Sequence, residues 1–121
     1  MSKVGFTMGA PRKALEAMAH DLTPKSAGLP GLHATEKDKD PMVRVKLFTP
    51  WTGWTWLLTE YSPEEDLAFG YCHNSRDPDC AELGYVSLEE LRSVKGPWGL
   101  RVERDLGFEP CKLSEAKARE C

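Results

Sequence analysis

The chain has 121 residues and a formal net charge of −3, and a chain of this length is the usual size of one domain. Aromatic residues make up 9% and charged residues 29% of the sequence, a composition that argues against wholesale disorder. The acidic balance excludes the overall basic field expected of a protein that is held to DNA mainly by phosphate contacts.

The first ten residues, Met1 to Ala10, contain one lysine and no hydrophobic segment of the kind that a signal peptide requires. No apolar run approaches the roughly 18 to 20 residues needed to span a bilayer. We therefore expect a cytoplasmic protein with no membrane partner, whose cysteines remain free thiols in that reducing compartment. These cysteines are Cys72, Cys80, Cys111 and Cys121.

The first predicted element is a helix that follows a loose tail at residues 1–8. Pro11 suits the first helical turn, because the amide that proline lacks would have no intrahelical partner there. Apolar residues then recur at helical spacing and form one narrow stripe, which consists of Leu15, Met18, Ala19 and Leu22. Thr23 followed by Pro24 predicts the end of this helix.

The pattern changes to strand alternation after Met42. Val43, Val45 and Leu47 alternate with Arg44, Lys46 and Phe48, which is the period of a half-buried strand. Pro and Gly within residues 49–53 predict a turn, so a second strand at residues 54–61 completes a hairpin. In that second strand we expect Trp54, Trp56 and Leu58 on one face and Leu57, Thr59 and Tyr61 on the other.

Capping-box patterns mark two further element starts. Ser62 stands three residues before Glu65 and predicts one helical turn between strands. Ser87 stands three residues before Glu90 and predicts a helix that ends at Gly96 and Pro97.

Around these caps we predict a third strand at residues 67–71, a polar loop at residues 72–80 and a short fourth strand at residues 83–86. A last strand is predicted at residues 102–108, and Ser114 is predicted to cap a C-terminal helical turn.

Together these elements predict an α+β fold. We expect an antiparallel sheet of about five strands, with an N-terminal helix and a short helix after the fourth strand. Residues 1–28 would form an N-terminal tail and helix, residues 29–115 a single core domain, and residues 116–121 a C-terminal tail.

The first candidate site is a surface of basic and aromatic side chains. Aromatic rings stack on unpaired bases and cations contact phosphates, so this mixture suits single-stranded nucleic acid. Aromatic residues are also enriched in protein interfaces, and tryptophans at strand positions often belong to the core. The candidate residues for protein or nucleic-acid binding are Arg44, Lys46, Trp51, Trp54, Trp98 and Arg101.

The second candidate site is a set of carboxylates near predicted strand ends, which consists of Glu60, Glu82, Glu103 and Asp105. Paired carboxylates can hold Mg²⁺ or act as acid and base. Ion pairs with neighbouring strands would produce the same composition without any activity. We favour the ion pairs, because surface acids are mostly solvated or paired.

The third candidate site is a metal site at Cys72, His73 and Cys80, with Cys111 as a further ligand. Zinc ligands are usually paired two to four residues apart, whereas seven residues separate Cys72 from Cys80. We therefore expect no metal and no cofactor, with Cys72 half-buried and His73 exposed in a loop. The sequence also contains no Gly-rich phosphate loop and no Gly-x-Ser-x-Gly elbow, so no catalytic residue is predicted.

A family resemblance rests on several ordered blocks of the sequence. They are Val45-Lys46-Leu47-Phe48-Thr49-Pro50, Trp54-Thr55-Trp56, Thr59-Glu60-Tyr61, Phe69-Gly70, Glu82-Leu83-Gly84-Tyr85-Val86-Ser87-Leu88 with Glu90-Leu91, and Glu103-Arg104-Asp105-Leu106 with Phe108. Over residues 29–115 these blocks resemble the bacterial and phage family catalogued as domain of unknown function 2958.

The resemblance implies a small protein of phages, plasmids and conjugative elements, often encoded near replication, transfer or antirestriction genes. It implies no catalytic residue, because no activity is established for the family. Residues 1–28 and the polar link at residues 72–81 depart from the family pattern.

These observations favour a non-enzymatic accessory protein of a mobile genetic element. Its expected partner is a host or element-encoded protein, and countering host defence is one such role. The alternative is a nucleic-acid-binding module for single-stranded DNA or RNA, and the third reading is a small metal-dependent hydrolase.

Overall fold

A computed structural model describes residues 12–120 and has an antiparallel sheet flanked by helices. The helices are α1 (Arg12–His20), α2 (Leu88–Ser93) and α3 (Leu113–Glu120), with short 3-10 turns at Lys25–Ala27 and Pro97–Gly99. The strands are β1 (Met42–Val43), β2 (Val45–Phe48), β3 (Trp54–Ser62), β4 (Leu67–Asn74), β5 (Asp77–Ser87), β6 (Glu103–Arg104) and β7 (Cys111–Lys112). The predicted α+β class is confirmed. The expected tail, Pro11 and Cys121 lie outside the described residues.

Five strands form the main sheet in the order β5-β4-β3-β2-β6, and every neighbouring pair is antiparallel. The predicted five-stranded antiparallel sheet is therefore confirmed. The strand predicted at residues 102–108 is shorter than expected, because only Glu103 and Arg104 pair with β2. The strand predicted from Val43 onward is interrupted at Arg44, and β1 pairs with β7 in a separate two-stranded sheet.

Each face of the main sheet carries its own apolar cluster. The α2 face packs Leu47, Leu58 and Ala68 against the helix side chains Leu88 and Leu91, with Leu22 in the same cluster. The other face, called here the α3 face, packs Leu57 and Val43 against Leu113 and Ala116 of α3. Ala116 is fully buried, so the packed domain extends past residue 115, and the predicted C-terminal tail is helical as far as Glu120.

A β-bulge in β3 changes which side chains share a face. Leu58 pairs with Gly70 and Glu60 pairs with Phe69, so Thr59 is an extra residue in β3. The alternation shifts at this point, and Tyr61 packs against the α2-face cluster together with Leu58. The prediction that Tyr61 shares a face with Leu57 is therefore wrong.

The segment predicted as a polar loop is a hairpin. β4 continues to Asn74, which pairs with Asp77 of β5, and residues 75–76 form the turn. The loop prediction is wrong because β4 and β5 continue through this segment, with a register shift between Cys72 and Asn74, although most of the segment's side chains are polar and face solvent.

One of the three predicted caps agrees with the sequence pattern, and the other two differ from it. The Ser87 hydroxyl accepts a hydrogen bond from the Glu90 amide at 3.2 Å, as the capping box predicts. The Ser62 hydroxyl accepts one from the Glu65 amide at 3.3 Å, but residues 63–66 form a turn and no helix. At α3 the cap is Asp40, because its carboxylate accepts from the amide and hydroxyl of Ser114 at 2.8 and 2.7 Å.

Candidate protein-binding surface

Trp98 stands at the tip of a closed loop and projects into solvent. The Leu100 amide donates to the Pro97 carbonyl at 3.0 Å, and the Gly96 amide donates to the Leu100 carbonyl at 2.7 Å. Trp98 and Gly99 both have positive φ, at 54° and 76°, which together with the Leu100 bond defines a type I′ turn. The Trp98 residue is 95% exposed. We call residues 96–100 the Trp98 loop.

The backbone at Trp98 is in a conformation that a bulky residue rarely adopts. The left-handed region brings Cβ close to the following carbonyl, and this costs about 1–2 kcal/mol for an L-residue. Gly, Asn and Asp are the usual residues at this turn position. The chain therefore tolerates local strain at a tryptophan that is 95% exposed, and such outliers cluster at functional sites.

Trp51 joins the Trp98 loop to the turn between β2 and β3. Its half-buried indole ring lies against the Gly96 backbone, where a Cβ would come within 2.5 Å of the ring atom Cδ2. Only glycine therefore fits at residue 96. Within its own turn, the Thr52 amide donates to the Thr49 carbonyl at 3.3 Å. Trp51 and the Trp98 loop together form what we call the tryptophan surface.

Trp54 and Trp56 are less available than Trp98. Their rings stack with centroids 6.2 Å apart and planes 18° from parallel, and Trp56 packs against the α2-face cluster. Trp54 is half-buried. Of the four tryptophans, Trp98 alone is almost wholly exposed.

Two cations flank the Trp98 loop. Lys95 precedes the loop and Arg101 follows it, and both side chains are exposed. The loop itself contains no acidic residue. An exposed indole with cations on either side of it matches a partner surface that is apolar at its centre and acidic at its rim.

The other predicted basic residues lie elsewhere. Arg44 is exposed at the far end of β2, about 16 Å along the strand direction from the turn that carries Trp51. Lys46 lies on the α3 face and its ammonium is 2.8 Å from Glu120 and 3.5 Å from Asp105. The structure therefore places Trp51 against the loop that carries Trp98, and Arg101 follows this loop in the chain, whereas Arg44 and Lys46 lie elsewhere.

Glu60, one of the predicted carboxylates, has a structural role. It is 3% exposed, and its carboxylate accepts from the amides of His33 and Thr35 at 2.8 Å each and from the Thr35 hydroxyl. Burial raises the pKa of Glu60, but the hydrogen bonds from Thr35 and His33 more than offset burial and hold the pKa below its usual value. Glu60 thereby fixes the connector at residues 31–36 onto the sheet.

The remaining carboxylates do not converge on a site. Glu82 is exposed on β5 at one edge of the sheet, whereas Glu103 lies on β6 at the opposite edge, with Asp105 just after it. Asp105 pairs with Lys46, as the ion-pair interpretation expects. Among residues 12–120, no group of three or more His, Cys, Asp or Glu side chains could hold a metal ion.

Cys72 and His73 point to opposite faces of β4, and among residues 12–120 they form no metal-ligand group with Cys80. Burial, together with the neighbouring Glu82 carboxylate and Cys80, raises the pKa of the Cys72 thiol to about 11, so this thiol stays protonated at neutral pH. Cys80 is exposed and its thiol donates to the Asp77 carboxylate at 3.2 Å.

His73 is 4% exposed, so the prediction of an exposed loop histidine is wrong. The hairpin carries it onto the α3 face, opposite Thr55. Burial lowers the pKa of His73, with Glu120 and Lys46 acting in opposite directions. Its Nε2 atom has no hydrogen-bond partner among the described residues.

Sequence reasoning missed one exposed apolar patch, which consists of Leu83 and Tyr85 on β5. Their alternation predicted a strand but gave no sign that the strand lies at the edge of the sheet. Only the strand order places β5 there.

The fold and this surface define a small α+β protein that displays an exposed tryptophan. A family model described as "Protein of unknown function (DUF2958)" matches residues 13–118. The chain therefore belongs to the family of domain of unknown function 2958, as its sequence blocks predict. The match begins at residue 13, so the expectation that residues 1–28 depart from the family pattern is wrong from that residue onward. The comparison with curated proteins and the comparison with solved structures each gave no significant match. No helix among residues 12–120 is long and apolar enough to cross a membrane.

Proposed function

We propose that the protein is a non-enzymatic binding module that recognises another protein through its tryptophan surface. The single observation that carries this proposal is Trp98, which is 95% exposed in a left-handed backbone conformation. Buried tryptophans are prominent among the residues that dominate protein interfaces. Burial of the roughly 250 Å² of a tryptophan side chain corresponds to about 6 kcal/mol of transfer free energy at 25 cal/mol per Å².

The proposed partner offers an apolar pocket for the Trp98 indole and acidic groups near Lys95 and Arg101. We further propose that this partner is a host or element-encoded protein, and that the chain serves a phage, plasmid or conjugative element in the cytoplasm, for example against host defence. The family resemblance supports this setting by analogy.

Single-stranded nucleic acid is the alternative ligand, and the arrangement of the cations favours it less. Lys46 is paired with two carboxylates, Arg44 lies at the far end of β2, and Trp54 is stacked on Trp56. A groove for single strands needs free cations beside free aromatic faces. Of the predicted basic and aromatic set, Trp98 and Arg101 are both exposed, and Lys95, which is not part of that set, adds a second exposed cation beside the loop.

The test compares wild type, Trp98→Ala and the control Leu106→Ala, which removes another exposed apolar side chain. Each chain is immobilised and exposed to nuclease-treated lysate, and proteins held by wild type are purified for direct titration. We expect Trp98→Ala to weaken binding by about 2 kcal/mol or more, which is roughly 30-fold in Kd, and Leu106→Ala to leave it unchanged.

Equal binding of the purified partner by wild type and Trp98→Ala would refute the proposal. A parallel fluorescence titration with short single-stranded DNA and RNA distinguishes the alternative. Salt-sensitive quenching that disappears in Trp98→Ala, without any protein partner, would favour nucleic acid.

A further inference from the structure

Leu83 and Tyr85 form an exposed apolar patch on β5. They are 53% and 56% exposed and lie on the same face of the strand, opposite Tyr71 and Phe69 of β4. The Tyr85 ring contacts Phe69 edge to face at 5.2 Å between centroids. The patch therefore continues the aromatic side chains of the sheet outward to its last strand.

The outer edge of β5 is open along its regular half. β5 pairs only with β4 among the described strands, and the register is regular from Glu82, opposite Cys72, to Ser87, opposite Leu67. An edge strand presents unpaired amides and carbonyls to any incoming strand. Proteins usually protect such edges with lysine, proline or a bulge. Residues 82–87 contain no lysine and no proline, and the bulge in β5 lies before them.

We propose that a second copy of this chain covers the edge, with the two β5 strands pairing antiparallel about a two-fold axis at Gly84. Opposed residues of an antiparallel pair lie on the same face of the sheet, and alternate residues of β5 share a face. An even-numbered residue of one copy can therefore pair only with an even-numbered residue of the other, and an odd-numbered residue only with an odd-numbered one. The Gly84 register pairs each Leu83 with the partner's Tyr85, so four apolar side chains form one cluster across the axis.

Charge disfavours the competing register that has its axis at Glu82. Glu82 is the only charged residue within residues 82–87, and in the Gly84 register it faces Val86. Moving the axis to Glu82 would instead oppose two glutamates, which is destabilising. Asp77 and Asp79 fall outside the paired stretch. A Cβ built on Gly84 meets nothing within 4 Å, so a side chain introduced at the axis does not clash with its own chain.

Five residue pairs and four half-exposed apolar side chains make a small interface, which belongs to the weak end of specific contacts. We therefore expect a dissociation constant on the order of 10 μM. The pairing is independent of the tryptophan surface, because the Trp98 loop contacts the turn between β2 and β3 and not β5.

Sedimentation velocity of the full chain from about 1 μM to about 1 mM tests the proposal. Wild type should pass from monomer to dimer across this range. Leu83→Lys and Tyr85→Lys should each raise the dissociation constant at least tenfold, whereas the matched control Leu106→Lys, at another exposed leucine, should leave it unchanged. Circular dichroism and unfolding midpoints establish that each variant is folded.

Gly84→Cys tests the register directly, because directly opposed Cβ atoms lie about 4.5–5.5 Å apart in an antiparallel pair. Under mild oxidation, two Gly84→Cys chains should couple to each other at residue 84, as shown by peptide mapping. A monomer at all concentrations would overturn the proposal, as would a dimer that both lysine variants leave intact. A dimer that Trp98→Ala dissociates would also overturn it and would assign self-association to the tryptophan surface.

Discussion

Replacement of Trp98 by glycine should stabilise the free protein while it abolishes partner binding. The strain of the left-handed conformation costs about 1–2 kcal/mol for an L-residue, and glycine removes it. Glycine adds unfolded-state entropy that offsets roughly 0.5–1 kcal/mol of this gain. The 5% of the Trp98 residue that is covered, about 13 Å², contributes roughly 0.3 kcal/mol. The expected net change in unfolding free energy is a gain of about 0.5 kcal/mol.

Trp98→Ala provides the comparison, because alanine keeps the strained backbone and loses the indole ring. We expect its unfolding free energy to lie within about 0.5 kcal/mol of wild type, below that of Trp98→Gly. Trp51→Ala is the control for a tryptophan that does pack, and loss of its contact with Gly96 should destabilise the fold by about 2 kcal/mol.

The assay is urea unfolding at low micromolar protein, followed by far-UV circular dichroism because this signal comes mainly from the backbone. A loss of more than about 1 kcal/mol in both Trp98 variants would mean that the indole ring packs against the domain. That result would contradict the assignment of Trp98 as a binding residue. If Trp98→Gly is not more stable than Trp98→Ala, the backbone strain at residue 98 is smaller than expected.

Three further predictions concern the sheet. Gly70→Ala should destabilise the fold by about 3 kcal/mol, because its Cβ would lie 2.9 Å from Leu58 Cα; the cross-strand control Gly84→Ala has open space and should be neutral or slightly stabilising in urea unfolding. As pH falls below 6.5, the unfolding free energy of wild type should decrease by up to about 1.4 kcal/mol per pH unit relative to that of His73→Phe. The reason is that His73 binds a proton more readily in the unfolded chain than in the folded one. Unfolding midpoints of the two proteins that stay parallel across pH 5–8 would contradict this. Glu60→Gln should lower the unfolding free energy by about 2 kcal/mol at pH 7. This difference from wild type should shrink as pH falls below 4.5 through the lowered pKa of folded Glu60, because the wild-type side chain then also becomes neutral. A difference that persists in acid would show that the charge of Glu60 is not responsible.

The sequence predicts the strands best where side chains alternate between core and solvent. Val45 and Leu47 show the period of two because one side of β2 is buried, and the Ser87 capping box predicts the start of α2 because its hydrogen bonds are local. The sequence of β3 does not predict the bulge at Thr59, because an extra residue in one strand is defined only by its pairing with the neighbouring strand. The sequence does not predict the hairpin at residues 72–80 for a similar reason. The ends of β4 and β5 are held together by backbone pairing, and their polar side chains do not indicate it.

The candidate surface could be predicted only in part. The sequence indicates binding candidates among the tryptophans but does not show which of them are exposed, because only the fold packs Trp56 against the α2-face cluster and gives Trp98 a positive φ. The Gly96-Pro97-Trp98-Gly99 run predicts a turn and gives no sign that Trp98 occupies a position with positive φ. The pairing of Lys46 with Glu120 joins residues that are 74 positions apart, and no local pattern indicates it.

The two proposed surfaces have a joint consequence that neither has alone. The Trp98 loop contacts the β2–β3 turn, which lies two to three strands from β5 in the sheet, so pairing through β5 leaves the indole ring of each copy uncovered. A β5-paired dimer would therefore present two binding sites, and a partner that is itself dimeric or immobilised would be held with avidity beyond the affinity of one site. Leu83→Lys should then weaken capture by a dense partner surface, although Leu83 does not belong to the tryptophan surface, and should leave the affinity for a single partner molecule in solution unchanged. Avidity accounts for the difference between these two results, because avidity depends on the physical link between the two binding sites and requires no change in the affinity of either site.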